Sequence, residues 1–167
     1  MHVLFTTSDG LVSRIIRRYE NFPASHVAIE INGLVYESVS KGVIKTDFNQ
    51  YYFNNDVVYS LNLEKIYPYL LPIDEFTARN LAEKYLGENY GFLTLIGIVL
   101  NDYLNIKLFA DGKKSFICSE YVSIILNSII PNELNIDKIP DYITPKDLYE
   151  QLNKHEKILK RSEFWKR

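Results

Sequence analysis

The chain contains one cysteine and three histidines, and thiol–imidazole chemistry needs one of each brought together. Cys118 lies in Ser115-Phe116-Ile117-Cys118-Ser119-Glu120-Tyr121-Val122, where a short mixed run enters a predicted helix. A thiol at that place meets the positive end of the helix dipole and free backbone N–H groups, both of which stabilise a thiolate. A single cysteine forms no internal disulfide and builds no cysteine-rich metal site. Two readings remain: a small buried hydrophobe, or a nucleophile. The second requires an imidazole to take the thiol proton and an acid to orient that imidazole.

His2 stands beside the terminus and His155 sits in the charged stretch Lys154-His155-Glu156-Lys157, so both are expected at the surface. His26 opens the run Ser25-His26-Val27-Ala28-Ile29-Glu30-Ile31, which Asn32-Gly33 separates from Leu34-Val35-Tyr36-Glu37-Ser38-Val39. Asn-Gly between two alternating runs predicts a two-residue type I′ hairpin turn, because both central residues must take positive φ. In that register Ile31 faces Leu34, Ala28 faces Glu37 and His26 faces Val39. His26, Ala28, Glu30, Val35, Glu37 and Val39 then share the more polar face, and Val27, Ile29, Ile31, Leu34 and Tyr36 form the core side. His26 and Glu37 become diagonal neighbours about 7–8 Å apart at Cα, within reach of a long carboxylate and an imidazole. Such a carboxylate sets the ring tautomer and leaves the other nitrogen for a thiol proton. A surface cross-strand pair produces the same pattern. Glu30 is the competing acid, but it stands about 13 Å from His26 along the same strand. A metal site on His26 and Glu37 has no third ligand at a useful spacing.

The elements that must carry these residues follow from periodicity. Residues 2–7 read as a strand. Leu11, Ile15, Ile16 and Tyr19 mark an amphipathic helix whose other face carries Arg14, Arg17 and Arg18. Strands are expected at 42–46 and 57–63, with a tyrosine-rich loop or short helix between them. Helices are expected at 73–86, ending at Gly87, at 92–104, and at 118–129 with the stripe Val122, Ile125, Leu126 and Ile129. Asp111–Lys114 reads as a turn. Thr144-Pro145-Lys146-Asp147 reads as a capping box opening a helix to about Leu152, and 157–165 as an edge strand or packed tail. Strands first and helices second predict an α+β fold, and 167 residues suit a single domain over 1–167.

Composition narrows the function classes. Apolar residues at 47%, charged residues at 24% and a net charge of −2 describe a globular chain without the basic stripe a nucleic-acid binder needs. The longest apolar run, Phe92 to Leu100, is too short for a membrane span. Met1–Thr7 does not read as a signal peptide, so a cytoplasmic location is the default expectation, and one reduced thiol agrees with it. No cofactor is called for.

The order of these pieces resembles the permuted branch of the NlpC-type papain-like peptidase superfamily (the YiiX-like group), in which the histidine strand comes first and the cysteine helix last. The matching segments are Ser25-His26-Val27-Ala28-Ile29, Val35-Tyr36-Glu37-Ser38 with Gly42-Val43, Tyr90-Gly91-Phe92, Phe116-Ile117-Cys118-Ser119-Glu120 and Thr144-Pro145-Lys146-Asp147-Leu148. They span nearly the whole chain. The resemblance implies a papain-like fold, a small antiparallel sheet packed against helices. It implies Cys118 as nucleophile, His26 as general base and Glu37 as the orienting residue. The backbone N–H of Cys118 would meet the oxyanion, with Tyr90 a candidate side-chain donor and Tyr85 its competitor. Ser119 and Glu120 are expected to cap the helix, with Glu120 pointing away from the thiol. The implied activity is that of a cysteine hydrolase or acyltransferase on an amide, ester or thioester, with a cell-wall peptide or a lipid or acyl substrate. A murein substrate would need a delivery route such as phage lysis or a secreted complex. The alternative is a non-catalytic binding or structural protein on the same scaffold, with Tyr51-Tyr52-Phe53 and Phe164-Trp165 as recognition surfaces.

Overall fold

The computed structural model describes residues 1–90, 115–131, 134 and 143–164, with side chains for all of these except 90, 115–116 and 155–164. The helix expected at 92–104 and the turn at 111–114 lie outside the described residues. The fold is α+β. Its frame is a five-stranded antiparallel sheet in the order β4-β3-β2-β1-β5. The strands are β1 (His2–Thr7), β2 (His26–Ile31), β3 (Leu34–Val39), β4 (Gly42–Asp47) and β5 (Asp56–Asn62). Six helices occur among the described residues: α1 (Leu11–Glu20), α2 (Phe48–Asn54), α3 (Leu63–Ile66), α4 (Pro72–Lys84), α5 (Cys118–Ile129) and α6 (Pro145–Phe164). A short parallel pair, β6 (Asn89–Tyr90) and β7 (Ser115–Phe116), leads into α5.

The expected hairpin forms as its residues dictate. Asn32 takes φ 51° and Gly33 φ 78°, and the register runs Ile31–Leu34, Glu30–Val35, Ile29–Tyr36. β1 is paired on both sides, and its run Val3-Leu4-Phe5 is fully buried, as a strand covered on both faces requires. Val3, Phe5, Val27, Ile29, Ile31 and Tyr36 join the main core with α5, whose stripe Val122, Ile125, Leu126 and Ile129 is buried as expected. Leu4, Ala28 and Val35 form a second, smaller core under Tyr51 and Phe48. The more polar hairpin face is therefore not open to water: α2 lies on it. Asp47 starts that helix by accepting from the backbone of Asn49 at 2.9 Å and Gln50 at 3.2 Å.

Two expectations need correction. α1 does not bury Leu11, Ile15 and Tyr19, which are exposed; it buries Ser13, Ile16 and Glu20. Its rotation follows polar contacts, since Ser13 Oγ lies 2.6 Å from Ser25 Oγ and Glu20 accepts from the backbone of Lys146 at 3.1 Å. Residues 157–164 extend α6 instead of forming an edge strand or tail. They contain no glycine or proline and are rich in helix formers, so nothing stops the helix near Leu152. The capping box itself is as expected: Thr144 Oγ1 accepts from Asp147 N, and Asp147 returns the bond to Thr144 N, each at 3.1 Å.

Glu20 makes the α1–α6 contact pH-dependent. Burial, joined by the charge of Asp147, raises its carboxyl from 4.5 to about 7, against the opposing hydrogen bonds from Lys146 and Thr144. The folded chain thus holds this proton more tightly than the unfolded one. The associated stability is fully present below pH 4.5 and is lost as pH rises through about 7. Glu20→Gln keeps an oxygen for the Lys146 N–H and removes the titration. We expect the variant to match the wild type in thermal melts at pH 5 and to exceed it by about 2 kcal/mol at pH 8.

Candidate active site

His26 opens β2, and the ladder fixes it opposite Thr6 of β1. A backbone bond from Ser25 N to Thr6 O at 3.0 Å extends that pairing past the strand end. Between Phe5 and Thr6 the β1–β5 register shifts by one residue, a bulge that turns the end of β1 beside His26. Glu37 stands on β3 opposite Ile44. The diagonal contact expected from hairpin parity forms: His26 Nε2 lies 2.8 Å from Glu37 Oε2, with side chains 22% and 10% exposed. Nε2 therefore carries the proton shared with the carboxylate, and Nδ1 is the nitrogen left for a second partner.

Cys118 is the other group that acts on this ring. It is the first residue of α5, and Ile117, in extended conformation at the N-cap, supplies no side-chain bond to the first turn. The backbone N–H groups there are left for other partners, and the dipole adds its positive end. Cys118 is 5% exposed. Burial by itself would push the imidazole pKa of His26 down. The charge of Cys118 and its hydrogen bond to the ring, together with the bond and charge of Glu37, overcome this and raise it from 6.5 to about 10. Thiol and carboxylate thus both act on the one imidazole.

One backbone path ties the thiol to the carboxylate strand. β4, the neighbour of the Glu37 strand, bonds through Val43 N to Glu88 O and receives Gly87 N at Val43 O, both at 2.9 Å. Glu88 leads into β6, where Tyr90 pairs with Phe116 of β7, two residues before Cys118. Tyr90 is therefore placed beside the cysteine strand by its backbone, while its side chain lies outside the described residues. Tyr85 packs against the core, edge-on to Tyr121 at 6.3 Å between ring centroids.

The remaining candidates are placed elsewhere. Glu30 accepts from His2 Nδ1 at 2.9 Å and from Gly33 N at 2.7 Å, so His2 has a partner of its own on the sheet. The side chain of His155 lies outside the described residues, as do those of Phe164 and Trp165. Ser119 is not a cap: it is fully buried and donates to Ile143 O. Among the described residues, no group of three or more His, Cys, Asp or Glu side chains is placed to hold a metal ion.

Two features escaped the sequence. One is a cavity of about 330 Å³ that reaches His26 and Glu37, with the hydroxyls of Thr6, Ser13, Ser25 and Ser38 in its wall. The other is Tyr51. Of the aromatic triplet on α2, Tyr52 and Phe53 are exposed at 46% and 91%, whereas Tyr51 is 1% exposed. The Asp47 cap and the spacing of Phe48 and Tyr51 are the signals that point to it. No family model matches the chain, and no curated protein matches it. None of the helices among the described residues is long and apolar enough to cross a membrane.

Proposed function

We propose that the chain is a cysteine-dependent hydrolase or acyltransferase with Cys118 as nucleophile, His26 as general base and acid, and Glu37 as the residue that orients His26. The single observation that supports this reading is the His26–Glu37 pair, with Glu37 Oε2 2.8 Å from His26 Nε2, on a ring that Cys118 also acts on. The Cys118 sulfur attacks a carbonyl carbon as its proton resides on His26. The C–S bond forms, and the carbonyl electrons move to oxygen, where the N–H groups at the start of α5 stabilise the charge. Collapse of that intermediate expels the leaving group, which takes its proton from His26. Water or another acceptor, deprotonated by His26, then attacks the acyl carbon and the C–S bond breaks.

The resemblance to permuted NlpC-type papain-like enzymes supports the same roles. It also suggests a substrate of the peptide, lipid or acyl type, bound through an amide, ester or thioester. The cavity beside His26 suits the departing or incoming group, because His26 exchanges its proton with that group. The 5% exposure of Cys118 is what favours the second reading, a binding protein on the same scaffold. The two readings separate by mass spectrometry of the folded protein after exposure to a panel of p-nitrophenyl esters and acyl thioesters. We expect one acyl group on Cys118 and none in Cys118→Ser; a folded protein that takes no acyl group from any donor contradicts the enzyme reading.

A further inference from the structure

Tyr51 is the residue at this site that no step above uses. Its ring closes the second core against Leu4, Ala28 and Val35. Strand alternation puts His26 on the same face of β2 as Ala28 and Glu37 on the same face of β3 as Val35, so the ring covers the face that carries both His26 and Glu37. The phenol oxygen is buried, and none of the described groups closes a hydrogen bond to it. Buried hydroxyls are nearly always satisfied, and an apolar ring of the same shape would avoid the desolvation cost. Its surroundings are specific: after burial itself, the Glu37 carboxylate and Cys118 hold this phenol neutral, against the Thr6 hydroxyl, which favours the ionised form. Glu37 gives Oε2 to His26, which leaves its second oxygen as an acceptor on this face.

We propose that Tyr51 is a positioning residue: its buried phenol, unbonded in this structure, turns its O–H onto the second oxygen of Glu37 and so keeps that carboxylate aimed at His26. The inference rests on the reading of Cys118, His26 and Glu37 given above. Tyr51 then acts through Glu37 and has no effect without it. A group held only for packing behaves in the opposite way, since its removal lowers stability and leaves the chemistry unchanged.

The test is a double-mutant cycle on the full chain, read as the rate of Cys118 alkylation by iodoacetamide at pH 7, with melts of each protein and His26→Ala as reference. Tyr51→Phe is expected to alkylate about fivefold more slowly, with an unchanged or higher Tm. In the Glu37→Gln background the same substitution is expected to change nothing further. A wild-type rate in Tyr51→Phe overturns the proposal, as does an equal fold loss in both backgrounds or a loss that tracks a lower Tm. A wild-type rate in His26→Ala instead overturns the reading of the site itself. A slow His26→Ala with a wild-type Tyr51→Phe removes only the role of Tyr51.

Discussion

Replacing His26 by alanine is expected to slow the alkylation of Cys118 by iodoacetamide tenfold to about a hundredfold at pH 6.5, with little change in Tm. An unassisted thiol is only about 1% thiolate at that pH. A neighbouring imidazole accepts the thiol proton as the sulfur attacks, which alanine cannot do. Three observations set the direction. Cys118 acts on His26 through both charge and a hydrogen bond; Glu37 fixes the ring from the far side at 2.8 Å; and α5 starts at the cysteine without a side-chain cap. Alanine removes the proton acceptor and leaves the helix dipole alone to stabilise the anion. Stability changes little because His26 is at the strand end and its ring is not part of either apolar core. Equal rates in the two proteins would mean that the imidazole does not serve the thiol. Measured from pH 5 to 9, the two profiles are expected to converge at the alkaline end, where any thiol ionises.

Gly42→Ala is expected to lower stability by about 3 kcal/mol, or about 10 °C in Tm. Gly42 has φ +105°, and a Cβ built on it meets the backbone oxygen of Glu88 at 2.7 Å. That oxygen accepts from Val43 N at 2.9 Å, so the clash falls on a bond that joins β4 to the segment feeding β6. Neither side is a flexible side chain that can swing away. The strain also reaches the site, because the path from Glu88 through β6 and β7 sets the position of Cys118; a slower alkylation is expected with the loss of stability. Gly33→Ala is the control. Gly33 has φ +78° but open space around it, so only the conformational cost of about 1 kcal/mol applies. Equal melting temperatures for the two variants would contradict the claim that the Glu88 contact is tight.

The local part of this site is legible in the sequence because Asn32-Gly33 sets a two-residue turn. Once the turn is set, parity alone places His26 and Glu37 on one face. The stripe of α5 is legible for a similar reason, since twelve residues are enough to show a 3.6-residue period. α2 is not, because seven residues give one repeat of Phe48 and Tyr51 and no more. Its placement over the polar face depends on Leu4, Ala28 and Val35 from three different strands. α1 shows the opposite failure: the apolar pattern is clear, and it points the wrong way. Ser13 and Glu20 orient that helix through contacts with Ser25 and Lys146, which no periodicity encodes. The pairing of β1 with β5 is likewise a contact between distant segments. The packing of α5, which carries Cys118, against β2, which carries His26, is of the same kind. Sequence supplies the residue types and their order, and only the fold brings them together.

The most direct test of the central claim is an NMR titration of the His26 ring in the wild type and in Cys118→Ala. With the thiol in place, the charge and hydrogen bond of Cys118 and those of Glu37 outweigh burial, and His26 is expected to stay protonated beyond pH 8, with a midpoint of about 10. Without the thiol, Glu37 alone opposes burial, and the midpoint is expected to fall by about 2 pH units or more. A midpoint that is the same in both proteins would contradict the pairing of Cys118 with His26, and with it the proposed chemistry.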